Sequence, residues 1–293
     1  MQIDQIKNVS IIGAGHMGQQ IALQCAVNGF NVVLQSRKQS SIEQAKVSID
    51  KFCKRLIHLK VIQAKDQKEI VSRIEFSTDV KSATSNVDIL VECIVEDLER
   101  KRDLFQQLEK LCPEKTIFCT NSSAIVPSKI ADVFKDPQRF IAVHFHTYVW
   151  EMSFVDIMPH PQTDLGVVEL IKKFAIKIKQ IPILMEKESP GYIFTAMLSS
   201  LNNTAIKLAR EGVATVNEID KSWRAAMKMP VGPFGIMDYI GIDTLRDVCQ
   251  YWGSENNDEE VLKNADFLNE MVDKGNLGMK SGKGFYDYSK MNG

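Results

Sequence analysis

The stretch "RFIAVHFHTYVWEMSFVDIM", residues 139–158, holds His144 and His146 two positions apart, with Asp156 twelve residues after the first. An imidazole has its unperturbed pKa near neutrality, which suits it to take or give a proton during a reaction. A carboxylate on the far ring nitrogen would fix the tautomer and stabilise the imidazolium that forms. Histidine pairs in apolar stretches are more commonly packing or surface residues. These twenty residues leave open which histidine acts and whether the carboxylate is its partner.

A second chemical feature lies at residues 13–18, where Gly13, Ala14, Gly15, His16, Met17 and Gly18 spell G-x-G-x-x-G. The spacing arises by chance in many chains. Here it follows the β-rich run "NVSII", opens a helical pattern and precedes a second strand-like run, "NVVLQS", which is the context that gives it meaning. Gly13 permits a tight turn, Gly15 lets a pyrophosphate approach the backbone, and Gly18 allows helix and strand to pack closely. The helix that starts at His16 and Met17 would offer unpaired N–H groups and the positive end of its dipole to phosphates. An Asp or Glu about 20 residues further on reads the ribose 2′-hydroxyl of NAD in such units. In "VVLQSRK" that position is Ser36, followed by Arg37 and Lys38. A hydroxyl and two cations suit a 2′-phosphate, so NADP(H) is expected over NAD(H), with NAD(H) as the other possibility.

The elements that would hold these groups alternate. Strand-like runs at "NVSII", "NVVLQS", "IEFST", "VDILVECI", "TIFCTNS", "RFIAVHF", "FVDIMP" and "IPILME" are separated by helical periodicity. The pattern predicts an α/β fold with a doubly wound, mostly parallel sheet over residues 1–187. After "ESPGY" every periodic stretch is helical, so residues 188–293 are expected to form an all-helical second domain. Ser189-Pro190-Gly191 is a natural hinge between the two.

Composition narrows the partners. A chain of 293 residues with 44% hydrophobic content can bury a large core. A formal net charge of −1 gives no global attraction for nucleic acid or an anionic membrane. Six cysteines without C-x-x-C or zinc-ligand spacing suit a reducing compartment and no metal. The opening residues carry no signal-peptide pattern, so a cytoplasmic location is expected.

The motifs together resemble the L-3-hydroxyacyl-CoA dehydrogenase family, including its short bacterial 3-hydroxybutyryl-CoA members. "VSIIGAGHMGQQIA" is similar to the family's opening, and "VDILVECIVEDLERKRDLFQQLE" to its Val-Glu-x-x-x-Glu segment and following helix. "TNSSAIVPSKIA", "VHF", "SPGYIFTAML", "EGVATVNEID", "PVGPFGIMDYIGIDT" and "GMKSGKGFYDY" match in order. The resemblance implies a Rossmann-like N-terminal domain and a helical C-terminal domain that forms a homodimer interface. It implies hydride exchange between a nicotinamide dinucleotide and a short 3-hydroxyacyl-CoA or its 3-keto partner. His144 falls on the catalytic histidine, Asp156 on its carboxylate partner, and Ser123 on the serine that contacts the substrate oxygen. Glu96 matches an acidic residue near the cofactor, and Lys101 follows it in the matching helix. His146 has no counterpart role and is expected to be structural or to line the wall of the site. The resemblance implies that the cationic segment from Lys51 to Lys68 lies near the CoA nucleotide, although a solvated helix face is the simpler account of most of its lysines.

The likeness breaks around the site. Asp156 replaces the family's Glu, which shortens its reach by about 1.5 Å. Thr147 stands where the family has Asn, Tyr148 where it has Pro, and Thr195 where an Asn contacts the reacting end of the substrate. Tyr148 and Trp150 are bulky where the family is small; they either pack under the sheet edge or narrow the acyl pocket. Two other readings therefore stand beside the CoA-linked enzyme. One is a same-fold dehydrogenase of a CoA-free 3-hydroxy acid or sugar acid. The other is a nucleotide-binding protein with little turnover.

Overall fold

The computed structural model describes residues 2–289. Runs such as "IIG", "ILVE" and "FIAVHF" are apolar on both faces, which is what strands covered by helices on two sides require. They form one eight-stranded sheet. Its strands are β1 (Asn8–Ile12), β2 (Asn31–Gln35), β3 (Ile74–Ser77), β4 (Ile89–Glu92), β5 (Ile117–Thr120), β6 (Phe140–Phe145), β7 (Phe154–Met158) and β8 (Ile181–Leu184). The spatial order is 3-2-1-4-5-6-7-8, with the direction of winding reversing between β1 and β4. Helices α1 (His16–Val27), α2 (Gln39–His58), α3 (Gln67–Ser72), α4 (Val80–Thr84), α5 (Leu98–Leu111), α6 (Ser128–Ala131) and α7 (Leu165–Lys177) connect the strands.

Side-chain alternation divides the core between the two faces of the sheet. Ile11, Val91, Cys119, Ile141 and Val143 belong to one cluster, which extends to Ala22 of α1 and Phe174 of α7. Ile12, Leu90, Phe118 and Phe140 belong to the other, with Phe105 of α5 and Phe134. All strand pairs are parallel except β6 with β7. Residues 146–153 are too few for a crossover, so β7 turns back beside β6 and pairs with it antiparallel.

The chain divides into two compact units at Ile193/Phe194. The second contains most of α8 (Ile193–Arg210), then α9 (Val216–Met227), α10 (Pro233–Ile240), α11 (Ile242–Glu255) and α12 (Glu259–Asp273), and no strand among its described residues. Its core is built from Ile206, Phe234, Met237, Ile242, Leu245 and Leu268. The tail "GKGFYDY" is held by two buried carboxylates. Asp238 accepts the amides of Phe285 and Tyr286 and the Tyr288 hydroxyl, and Asp220 accepts the Tyr286 hydroxyl. Among the described residues, no helix is long and apolar enough to cross a membrane.

The glycine turn shows why its glycines are not equivalent. A Cβ on Gly18 would sit 1.9 Å from the Gly13 carbonyl oxygen, and one on Gly13 would sit 2.5 Å from the Cys93 oxygen with φ at +114°. Gly15, at φ −74°, would meet no atom within 4 Å. Gly18→Ala should therefore destabilise the protein by about 3 kcal/mol through forced separation of α1 from β1. Gly15→Ala should stay within about 0.5 kcal/mol of the parent. Urea denaturation of both variants checks this; equal stabilities would contradict the packing argument.

Candidate functional site

In parallel sheets of this kind, ligands bind beyond the carboxyl ends of the strands, where the winding reverses. Three chain segments leave that edge with chemical groups: the glycine turn after β1, residues 92–97 after β4, and the "TNSS" turn after β5. The end of β6 adds the histidines.

β6 and β7 place His144 directly opposite Asp156. The carboxylate is fully buried, and each histidine is 8% exposed. Asp156 Oδ2 lies 3.4 Å from His144 Nδ1 and 2.9 Å from His146 Nε2. One oxygen thus serves two imidazoles, and the closer belongs to the histidine without an expected role. Oδ1 has no hydrogen-bond partner. With the carboxylate ionised, it accepts from both rings, so His144 carries its proton on Nδ1 and His146 on Nε2. Burial works to raise the Asp156 pKa, but the two histidine hydrogen bonds outweigh it and hold the carboxyl below its usual range. Burial also lowers the His144 pKa, against the pull of Asp156. The ligating atoms of these three side chains lie within 4.8 Å of one another, the one such grouping among the described residues that could hold a metal ion.

Two further groups, beyond those expected from the sequence, hold His144 and the end of β6. The Tyr192 ring stacks on it at 4.6 Å with planes 11° apart. The Tyr192 hydroxyl donates to the Ser122 carbonyl at 2.7 Å, which ties the stack to the "TNSS" turn. Asn121 Oδ1 accepts the Phe145 amide at 2.8 Å and so joins the ends of β5 and β6.

The "TNSS" turn is organised by Glu96. Its Oε1 accepts the Ser122 hydroxyl and the Ala124 amide, the latter at 2.9 Å. Ser122 is buried in this network, whereas Ser123 is exposed. Burial would raise the Glu96 pKa, but Lys101, Ser122 and the Ala124 amide together hold it low. Lys101 itself is only 1% exposed. Its ammonium lies 2.7 Å from Glu92 and 3.3 Å from Glu96. Glu92 completes the network by accepting from Thr120 at 2.7 Å and from the Ile94 amide at 2.7 Å. Lys101 therefore neutralises two carboxylates behind the turn, and its amine is not displayed at the edge. A lysine on an amphipathic helix reads as solvated; two glutamates at the end and just beyond a buried strand were the signal that it is not.

The glycine turn supplies a helix N-terminus, with Gly15 at its cap. Together with the open approach at Gly15, this fits a dinucleotide pyrophosphate. His16 and Met17 open α1 and meet the segment after β6: the Thr147 hydroxyl lies 3.5 Å from Met17 Sδ, and the His16 and Tyr148 rings are 6.4 Å apart. Gln20 holds that segment by accepting the Tyr148 amide at 2.7 Å. Beyond β2, Ser36 is half-buried, while Arg37 and Lys38 are exposed and have no carboxylate partner among the described residues. Tyr148 and Trp150 pack toward α2: Arg55 lies 4.4 Å over the Tyr148 ring, and Phe52 is 5.2 Å from Trp150. Arg55 also pairs with Glu151 at 2.7 Å, and Lys54 with Asp50 at 2.7 Å. That leaves Lys51, Lys60, Lys65 and Lys68 exposed without a carboxylate partner among the described residues. Thr195 belongs to the second unit, in the first turn of α8.

Comparison with known proteins agrees with this geometry. Residues 8–189 match the family model of the 3-hydroxyacyl-CoA dehydrogenase NAD binding domain, and residues 191–288 match that of the C-terminal domain. The chain is 32% identical to the mitochondrial hydroxyacyl-coenzyme A dehydrogenase of Rattus norvegicus, over 97% of this chain and 91% of the relative. It is 30% identical to the 3-hydroxybutyryl-CoA dehydrogenase of Clostridioides difficile, over 96% and 99%. Among solved structures, a diketoreductase described for dual catalysis of dicarbonyl compounds superposes with a TM-score of 0.91 at 32% identity, covering 97% of this chain and 99% of that one. The (S)-3-hydroxybutyryl-CoA dehydrogenase of Ralstonia eutropha gives 0.85 at 31% identity, over 97% and 99%. With both of its domains matched in order along nearly the whole chain, the chain belongs to the 3-hydroxyacyl-CoA dehydrogenase family.

Proposed function

We propose that the protein oxidises a short-chain 3-hydroxyacyl-CoA, or reduces the 3-keto form, with NADP(H) preferred over NAD(H). The observation that carries this reading is His144 set opposite Asp156 at the same sheet edge as the glycine turn. The nicotinamide, when bound, accepts the hydride from the alcohol carbon or returns it. His144 takes the hydroxyl proton on Nε2, the nitrogen left with a lone pair when Nδ1–H faces Asp156. Asp156 stabilises the resulting imidazolium. In the reducing direction the same imidazolium donates its proton, and the exposed Ser123 hydroxyl donates a second hydrogen bond to the carbonyl oxygen. Glu96, backed by Lys101, keeps the turn carrying Ser123 in place. Thr147 contacts the substrate, and the unpaired lysines beside α2 attract the CoA phosphates.

The diketoreductase likeness favours a second reading, in which a CoA-free dicarbonyl or 3-hydroxy acid is the substrate. Replacement of the family's Asn by Thr147 and of its Pro by Tyr148 changes the polar lining in the direction that reading needs. The six cysteines form no disulfide and suit the cytoplasm. The helical unit exposes Met197 at 62%, Val213 at 65% and Tyr251 at 56%, which supports a homodimer through that unit.

Three outcomes are expected. Oxidation of NADPH by acetoacetyl-CoA, followed by cofactor absorbance, should fall about 10²–10⁴-fold in His144→Ala. Turnover of acetoacetate or a free diketone in place of the thioester would move the assignment to the second reading, and an unaffected variant would remove His144 from the chemistry. Arg37→Ala should raise KM for NADPH about tenfold while leaving NADH unchanged; equal use of the two cofactors by the parent would contradict the preference. Sedimentation at micromolar concentration should give twice the chain mass and Met197→Glu should lower it, whereas a monomer at every concentration would contradict the dimer.

A further inference from the structure

We propose that His146 is a positioning residue that shares the Asp156 carboxylate with His144 and thereby sets how readily His144 holds a proton. The proposal rests on the acid–base role given to His144 above, and it adds a third member to that pair.

The geometry is asymmetric. Both imidazoles aim at the same oxygen, Oδ2, and His146 Nε2 is nearer at 2.9 Å than His144 Nδ1 at 3.4 Å. A distance of 3.4 Å lies beyond the usual range for N–H···O contacts, so His144 has the weaker share. Along an extended chain, residues two apart face the same side, which brings both rings over β7. Their centroids are 4.6 Å apart. The Phe154 ring packs against His146 at 4.2 Å. His146 is therefore buried and held in place by its neighbours.

The consequence follows from charge. Proton uptake at His144 is favoured by the carboxylate charge that reaches Nδ1. A hydrogen bond from His146 neutralises part of that charge and holds the carboxylate toward itself. It leaves the imidazolium of His144 less stabilised than an undivided carboxylate would. The other groups that act on His144 do not offset this. Glu96 favours the charged ring, but it is itself engaged by Lys101. Tyr192 faces the ring as an uncharged phenol, its ionisation pushed far up by burial. Proximity to His146 lowers the His144 pKa further. A base that stays neutral to lower pH favours oxidation of the alcohol in mildly acidic to neutral solution.

Removing the N–H at residue 146 while keeping the ring tests this. In His146→Phe the carboxylate should serve His144 alone, and His144 should titrate at higher pH. For oxidation the neutral ring is required, so the acid limb of kcat/KM should move to higher pH. At about pH 6 the variant should lose about threefold or more relative to its own alkaline plateau. For reduction, activity should persist to higher pH than in the parent. His146→Gln places an amide N–H near the position of Nε2 and should restore the parent profile. Long-range ¹H–¹⁵N spectra of the whole protein read the His144 titration and both tautomers without any turnover. They should show His144 protonated on Nδ1 and His146 on Nε2 in the parent. A His146 ring protonated on Nδ1 alone in the parent would overturn the proposal, whether or not the variants fold. Superimposable titrations in parent and His146→Phe would do the same, as would a Gln variant that behaves like Phe. Full activity in His144→Ala would instead reject the acid–base reading, leaving the spectra as the test of the shared carboxylate.

Discussion

One buried carboxylate governs the site. Asp156 lies on a strand that must run antiparallel because residues 146–153 are too short to cross the sheet, and that direction sets it opposite His144. It is shielded completely from solvent, its Oδ1 makes no hydrogen bond, and its stability as an anion rests on two imidazole N–H groups at Oδ2. Loss of either donor leaves a buried charge less compensated.

A second buried charge network plays the complementary part. Lys101 reaches from α5 to Glu92 at the end of β4 and to Glu96 beyond it, and Glu96 in turn gathers the turn after β5. Tyr192 bridges the two networks, stacking on His144 while donating to the backbone of Ser122. The carboxyl edge of the sheet is thus fixed by side chains from several separate segments, which is how a site assembled from loops can remain rigid.

Much of this was legible in the sequence, and what was not has a physical reason. The eight strands announced themselves by apolar runs bounded by polar turns, and the glycine turn by its position between two of them. His144, Asp156 and Ser123 could be singled out by likeness to a family, since their neighbours in sequence carry the pattern. His146 could be noticed but not understood, because its meaning depends on a contact with another strand. The H-x-H alternation did contain the hint that both rings share a face. Lys101 was expected beside Glu96 near the cofactor, and what the sequence could only hint at, through Glu92 at the end of a buried strand, is that its ammonium is buried against that second carboxylate. Tyr192 sits at φ +54°, a conformation that no local pattern for tyrosine announces.

The central claim is that His144 and Asp156 drive hydride exchange with a bound nicotinamide at this edge. The most direct measurement supplies 3-hydroxybutyryl-CoA deuterated at carbon 3 with NADP⁺ and follows the label by mass spectrometry. The account predicts deuterium in the reduced nicotinamide for the parent and a large loss of transfer in Asp156→Asn, with the cofactor still bound. Label that stays in the substrate while the cofactor binds to the parent would contradict it.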